Sequence, residues 1–376
     1  MNNTDSIISW LDTLIPGYPG CPSKGSHDAT NLDTTKHLLD LQLEEFGVEI
    51  NALNLDALPA TARKLVSSME KIRRGHEILP HALESTIRGE VEGQGLEYHL
   101  WRYSFKPPEE VDRLPGRIPT FKEVEKLCRD AIECDQYGHE ETSWNSLVRL
   151  PLLRSVCKGT DGQYHHLDAM SCTTARLHQD FKPASSLIKM IDICVYAPTN
   201  QDADLSAKIV QFSRITPTCT VNHTDFFPIS TRPLLLSIAT TKPGIRWEMA
   251  QLQMGIWHVA QWAFIRWAVA QKLVRDRIQV GIETQPQIRQ DDLDVKVLAV
   301  LSKLEFIPGV IIQDHRWYLV LSTYEDGKTK LWVDCRFGTT GTCLGTYSTI
   351  AGIRQLMAWA RDVYMPWFKT NILDGL

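Results

Sequence analysis

No C-x-x-C pair occurs among the nine cysteines, which stand scattered at Cys21, Cys128, Cys134, Cys157, Cys172, Cys194, Cys219, Cys335 and Cys343. That spacing builds neither a zinc site nor a disulfide framework, and it suits a reducing compartment. The sequons at Asn2 and Asn222 then carry little weight. A surplus of positive charge is also lacking: 40 Lys and Arg stand against 45 Asp and Glu, for a formal net charge of −5. No global field draws the molecule to nucleic acid or an anionic membrane, so any such contact must come from a local basic patch. The opening residues MNNTDSIISW lack the basic start and long apolar run of a signal peptide. Internal repeats and low-complexity tracts are absent as well. These absences leave a cytoplasmic globular protein as the expectation.

What is present fits that class. With 376 residues, 43% hydrophobic and 23% charged, the chain can bury a large core. Met249–Ile265 has no Asp, Glu, Lys or Arg and resembles a membrane span, but Gln251, Gln253, His258 and Gln261 would be costly in hydrocarbon. A buried core helix is the expectation, with no membrane contact.

Along the chain, a short apolar opening leads into the Gly/Pro/Ser-rich stretch GYPGCPSKGSHDATN. Helical patterns follow around 33–46 and 61–79, and 87–117 is broken by Gly and Pro. Residues 1–115 thus read as a helical and irregular lobe and 116–376 as the core. Thr120-Phe-Lys-Glu123 is a capping box that starts a helix to about 135. A second helix begins near Glu140 and is interrupted at Pro151. Strands are predicted at Ser171–Leu177, Lys189–Tyr196, Pro233–Thr241, Val295–Leu304, Gly309–Ile312, Trp317–Thr323 and Lys330–Asp334. Helices are predicted at Asp202–Ser213, about 246–272 and about 347–363. This order describes an α/β fold with a central mixed sheet flanked by helices.

Three patterns carry chemistry. The first is Glu141-Thr-Ser-Trp144-Asn145, followed by Leu147-Val148-Arg149. The second is Asp192, an acid inside the apolar run Lys189–Val195. The third is Ser237-Ile238-Ala239-Thr240-Thr241-Lys242, leading to Gln253 and Trp257. In this order the motifs resemble the PD-(D/E)XK nuclease-like proteins common in fungal genomes, from roughly 118 to the end of the chain. The resemblance implies a nuclease-like core in which a helix glutamate, a strand aspartate and a (D/E)-x-K strand converge on a metal. Glu141, Asp192 and Gln253 match three of those positions. The strand that should read Ser-Ile-Glu-Thr-Lys has Ala239 and Thr241 in place of the carboxylate and the lysine.

Cleavage of a phosphodiester on such a site needs carboxylates to hold a divalent ion and a lysine to offset developing charge. Sliding the register by one puts Lys242 in the lysine position but Thr240 in the acid position. A strand alternates faces, so 237, 239 and 241 share one face while Lys242 points away. The carboxylate is missing in either register, and nuclease activity and a bound metal or other cofactor are not expected.

The resemblance extends to the fungal arginine-containing cyclodipeptide synthases, which join amino acids taken from charged tRNA. It implies acyl transfer without metal, with arginyl-tRNA and a second charged tRNA as partners. Glu141, Asp192, Ser237, Thr241 and Gln253 are the catalytic candidates under this reading, and Trp144, Asn145, Lys189, Lys242 and Trp257 the substrate-binding ones. Two basic clusters are candidates for tRNA phosphates: Lys71, Arg73 and Arg74 (with Lys64 nearby), and Arg266, Lys272, Arg275 and Arg277. Each residue also has a plainer reading. Asp192 would be a structural acid paired with Lys189 or Arg149, Glu141 a complement to its helix dipole, and the tryptophans core. A weakly cleaving nuclease and an inactive nucleic-acid- or partner-binding module remain the alternatives.

Overall fold

The computed structural model describes residues 47–95, 97–157, 167–183, 191–200, 202–241, 247–279 and 290–376. Its strands are β1 (Val48–Ala52), β2 (Asp168–Ser171), β3 (Ile193–Tyr196), β4 (Leu234–Thr241), β5 (Ile307–Gln313), β6 (Arg316–Glu325) and β7 (Lys328–Thr339). They form one mixed sheet in the order β1-β7-β6-β5-β4-β3-β2. β1 runs parallel to β7 and β4 parallel to β5, and the remaining neighbours are antiparallel. Every residue of β4 is buried. A strand covered on both faces can be apolar without alternation, and Leu234–Ile238 is nearly so.

The helices are α1 (Ala60–Arg73), α2 (Glu84–Gly93), α3 (Phe121–Gln136), α4 (Glu141–Trp144), α5 (Leu150–Cys157), α6 (Ala203–Ile215), α7 (Trp247–Gln279), α8 (Gln290–Leu301), α9 (Cys343–Trp359) and α10 (Met365–Phe368). The capping box at α3 is formed as the sequence predicts. Glu123 takes the Thr120 amide at 2.8 Å while the Thr120 hydroxyl takes the Glu123 amide at 3.4 Å. The Arg117 guanidinium also binds Glu123 and holds its carboxyl down at about 2. α7 carries Gln251, His258 and Gln261 into the interior, as a core helix. Among the described residues no helix is long and apolar enough to cross a membrane.

Several elements differ from the sequence reading. The described residues from 47 onward belong to one compact unit. β1 completes the sheet edge beside β7, and α1 packs on β7 and α9 with Leu65, Val66 and Met69 in the common core. Val295–Leu304 is not a strand. Its β-branched residues belong to α8, which Asp291 and Asp292 stabilise at the positive end of the helix dipole. The strand placed at Ser171–Leu177 lies at Asp168–Ser171 instead. Pro151 does not break its helix either. A π-turn over Asn145–Arg149 widens the backbone ahead of it and α5 continues through the proline. The helix expected at 33–46 lies outside the described residues.

α9 meets β7 through glycines, at backbone distance. A Cβ on Gly338 would stand 2.7 Å from the Thr349 Cα, and one on Gly352 would enter the Phe337 ring. Gly338→Ala therefore has to push the helix off the sheet. We expect a loss of about 1–3 kcal/mol, read as a lower urea midpoint at constant slope. An unchanged midpoint would mean that this contact is not as close as described.

Candidate functional site

The π-turn has a direct consequence for side chains. Residues 141, 145 and 149 are spaced by four, and the wider turn lines them up along one side facing the end of β4. Glu141, partly exposed, opens the row. The Thr240 hydroxyl donates to Glu141 Oε1 at 3.0 Å and accepts from Asn145 Nδ2 at 3.2 Å. Asn145 Oδ1 in turn accepts from Arg149 Nη1 at 3.0 Å, and Arg149 Nη2 reaches the Thr241 carbonyl at 3.3 Å.

Asp192 closes the constellation from the neighbouring strand. Its Oδ2 accepts the Thr240 amide at 2.8 Å, and its own amide donates to the Ile238 carbonyl at 3.0 Å. Its carboxylate thus stands in for a backbone acceptor where β3 and β4 separate. Asp192 is 1% exposed, so it shapes the strand end, while Glu141 keeps access to solvent.

Arg149 is 1% exposed and stacks over Trp144, with 5.4 Å from guanidinium to ring. Burial pulls its pKa down to about 10, and the charges of Glu141, Asp192 and Asp314 oppose that drop. The cation therefore persists at neutral pH, surrounded by acids. The β5–β6 turn forms the far wall. Asp314 adopts a positive φ of 54°, and burial pushes its carboxyl up. His315 lies edge-on to Trp144 at 5.0 Å and is pulled down by burial.

Sequence reasoning placed Glu141, Trp144, Asn145 and Asp192 here but put the strand's contribution on the wrong face. Ser237 pairs with Gly309, the point where Met254 and His258 of α7 come closest to the sheet. Ser237, Ala239 and Thr241 therefore face α7, and Thr240 faces α4. Among the described residues the buried hydroxyls of Ser237 and Thr241 have no hydrogen-bond partners. Trp257 packs edge-on against His223 at 4.6 Å under the sheet, away from Glu141, and Gln253 lies on the same helix. Lys189 and Lys242 fall outside the described residues. Asp314 and His315 carry no sequence signal, Thr240 appears in the sequence only as the acid position of the shifted register, and Arg149 only as a partner for Asp192. The four-residue spacing of 141, 145 and 149 is a second pointer to Arg149.

The basic clusters are largely tied down. Arg73 and Arg74 both bind Glu70, whose carboxyl they hold at about 2. Lys272 pairs with Asp276 at 2.6 Å, Arg275 donates to the Ile372 carbonyl at 2.9 Å, and Arg266 reaches the Tyr324 hydroxyl at 3.3 Å. Lys71 and Arg277 stay on described helix surface and beside it in sequence.

The family model of the PD-(D/E)XK nuclease superfamily matches residues 87–365, most of the chain, and the protein belongs to that superfamily. No curated protein and no solved structure gives a match. The fold fits, with a mixed sheet between helices and Asp192 immediately ahead of β3.

The divalent ion of the superfamily does not fit the residues present. Where β4 faces Glu141 it offers the Thr240 hydroxyl, and Asp192 Oδ2 is held by a backbone amide. A buried guanidinium already stands among the acids and would repel a second cation. Among the described residues no group of three His, Cys, Asp or Glu side chains could hold a metal.

Proposed function

We propose that the chain is a metal-independent aminoacyl-transfer enzyme of the superfamily, an arginine-containing cyclodipeptide synthase that draws on arginyl-tRNA and a second charged tRNA. The observation that carries this reading is the arrangement at the site: the β4 residue that faces Glu141 is Thr240, a hydroxyl and not a carboxylate, and Arg149 supplies the positive charge. Acyl transfer from an activated ester needs a positioned amine, a base and hydrogen-bond donors.

Glu141 is the base in this scheme, because it is the accessible acid of the pair and is oriented by Thr240. It takes the proton from the α-ammonium of one aminoacyl group. That amine attacks the ester carbonyl of the other, a C–N bond forms, and the ester C–O bond breaks. The ribose oxygen of the departing tRNA leaves with a proton. A second attack by the remaining amine on the remaining ester closes the ring and releases the second tRNA. Asp192 and Arg149 act on the geometry, holding the strand end and the Asn145 amide in place.

The test is incubation of the purified chain with arginyl-tRNA and a mixture of other charged tRNAs, followed by mass spectrometry. The expected product is a cyclic dipeptide containing arginine. Glu141→Gln should reduce its formation by about 10²–10⁴-fold, the range for loss of a general base, while the protein still unfolds in one cooperative urea transition. Absence of product together with no consumption of the ester would end this reading. Unaltered tRNA binding by Glu141→Gln in that case would identify a binding module instead.

A further inference from the structure

A cleft of about 290 Å³ opens between α1, the turn after α8 and the end of α9. None of its lining residues belongs to the Glu141–Thr240 constellation. Its floor is apolar: Leu65 from α1, Ala358 from α9, and the rings of Phe306 and Trp359, stacked at 5.6 Å with 30° between planes. An apolar floor of this kind at the bottom of a cleft favours a guest with an apolar body.

The polar rim has a definite sign. Two acids border the cleft, and both are engaged. Glu305 accepts from the Thr61 amide at 3.3 Å and from the Thr61 hydroxyl. Asp362 is held by Arg361 through two hydrogen bonds of 2.6 and 2.8 Å. The two lysines of the rim, Lys64 and Lys303, are exposed, and neither forms an ion pair among the described residues. Trp359 is 7% exposed and lines the cleft, and among the described residues its buried indole N–H has no partner. A buried donor left unmatched is costly, so a site with spare donors and spent acceptors selects an acceptor ligand.

We propose that this cleft binds a small amphipathic anion, with a flat apolar body on the Phe306–Trp359 floor and a carboxylate or phosphate held by Lys64 and Lys303. This inference is independent of the chemistry assigned to Glu141. An ammonium pair with free rotation suits either anion, because lysine acts as a point charge rather than as a shaped fork.

Four probes separate the contributions in titrations of the full chain by calorimetry: 2-naphthoate, 2-naphthyl phosphate, the uncharged 2-naphthylmethanol, and acetate. Both aromatic anions are expected to bind, and the tighter of them names the anionic group. The alcohol should bind at least about tenfold more weakly, a difference of about 1.4 kcal/mol, and acetate should not register. The Lys64→Gln/Lys303→Gln double variant should lose at least the same factor for both anions. Val363→Glu, which places a carboxylate at the exposed rim, should do likewise. All three replaced side chains are exposed, so the urea midpoint serves as the folding control. The proposal is overturned if neither aromatic anion binds at millimolar concentration, if the alcohol binds as well as the anions, or if the double variant binds like the parent.

Discussion

Replacing Arg149 with alanine is expected to cost about 3–5 kcal/mol of folding stability, the range for removing one member of a buried charged group. Three effects add in the same direction. The Asn145 Oδ1 and the Thr241 carbonyl each lose their guanidinium donor inside the protein. Glu141, Asp192 and Asp314 lose the charge that offsets them. The volume under Trp144 empties as well. Arg149→Lys keeps the charge but cannot reach both acceptors, so it should fall between the two. Urea denaturation at constant slope measures the series. A loss below about 1 kcal/mol for Arg149→Ala would place this arginine among ordinary surface ion pairs.

Acid should act through the other side of the sheet. His223 and His258 are fully buried, and burial pulls both down to about 3, with the charge of His258 adding to the effect on His223. The His258 Nδ1 shares a 2.8 Å hydrogen bond with the Ser322 hydroxyl. Both rings are neutral in the folded protein at any pH well above 3, whereas the unfolded chain takes up their protons below about 6.5. Stability is therefore complete above pH 6.5 and falls as the pH drops, by about 1.4 kcal/mol per pH unit for each histidine. His315, also pulled down by burial, contributes with the same sign. Glu70 and Glu123 are held at about 2, so their contribution is complete above the ordinary carboxylate value of 4.5 and is lost from there down to about 2. The histidines set the decline from pH 6.5 to 4.5, and Asp314, pushed up by burial, opposes it as the pH falls. Urea midpoints across that interval should decline, and His223→Phe should flatten the decline. A midpoint independent of pH there would show that the two rings are not buried neutral.

How far the sequence reveals this molecule depends on how local each signal is. The capping box at Thr120 and Glu123 is a four-residue device, and it forms as read. The run Leu234–Thr241 is unmistakably a strand, because a continuous apolar segment bounded by prolines has few other options. α8 was misread for the opposite reason. Val295, Val297 and Val300 favour a strand locally, and only the packing of α8 against α7 decides for a helix. β1 carries just five residues, and its identity rests on pairing with a strand almost three hundred positions away.

The site shows the same division. Glu141, Asn145 and Asp192 stand in recognisable patterns, and the missing carboxylate of Leu234–Thr241 can be seen directly in either register. Which face of β4 meets the acids cannot be read from alternation, which says only that Thr240 differs from Ala239 and Thr241. That choice depends on the π-turn, which aims the Glu141–Asn145–Arg149 row at Thr240. Arg149 looks like one more helix cation until its burial is known.

We propose that this site performs acyl transfer with its own cation in place of a metal. The cyclodipeptide reaction can be run with magnesium replaced by cobalt hexammine, which supports tRNA folding but offers no open coordination position. An arginine-containing cyclic dipeptide is then expected to form still, at a rate close to that with magnesium. Product formation or nucleic-acid cleavage that appears only with magnesium, and disappears in Asp192→Asn, would contradict it.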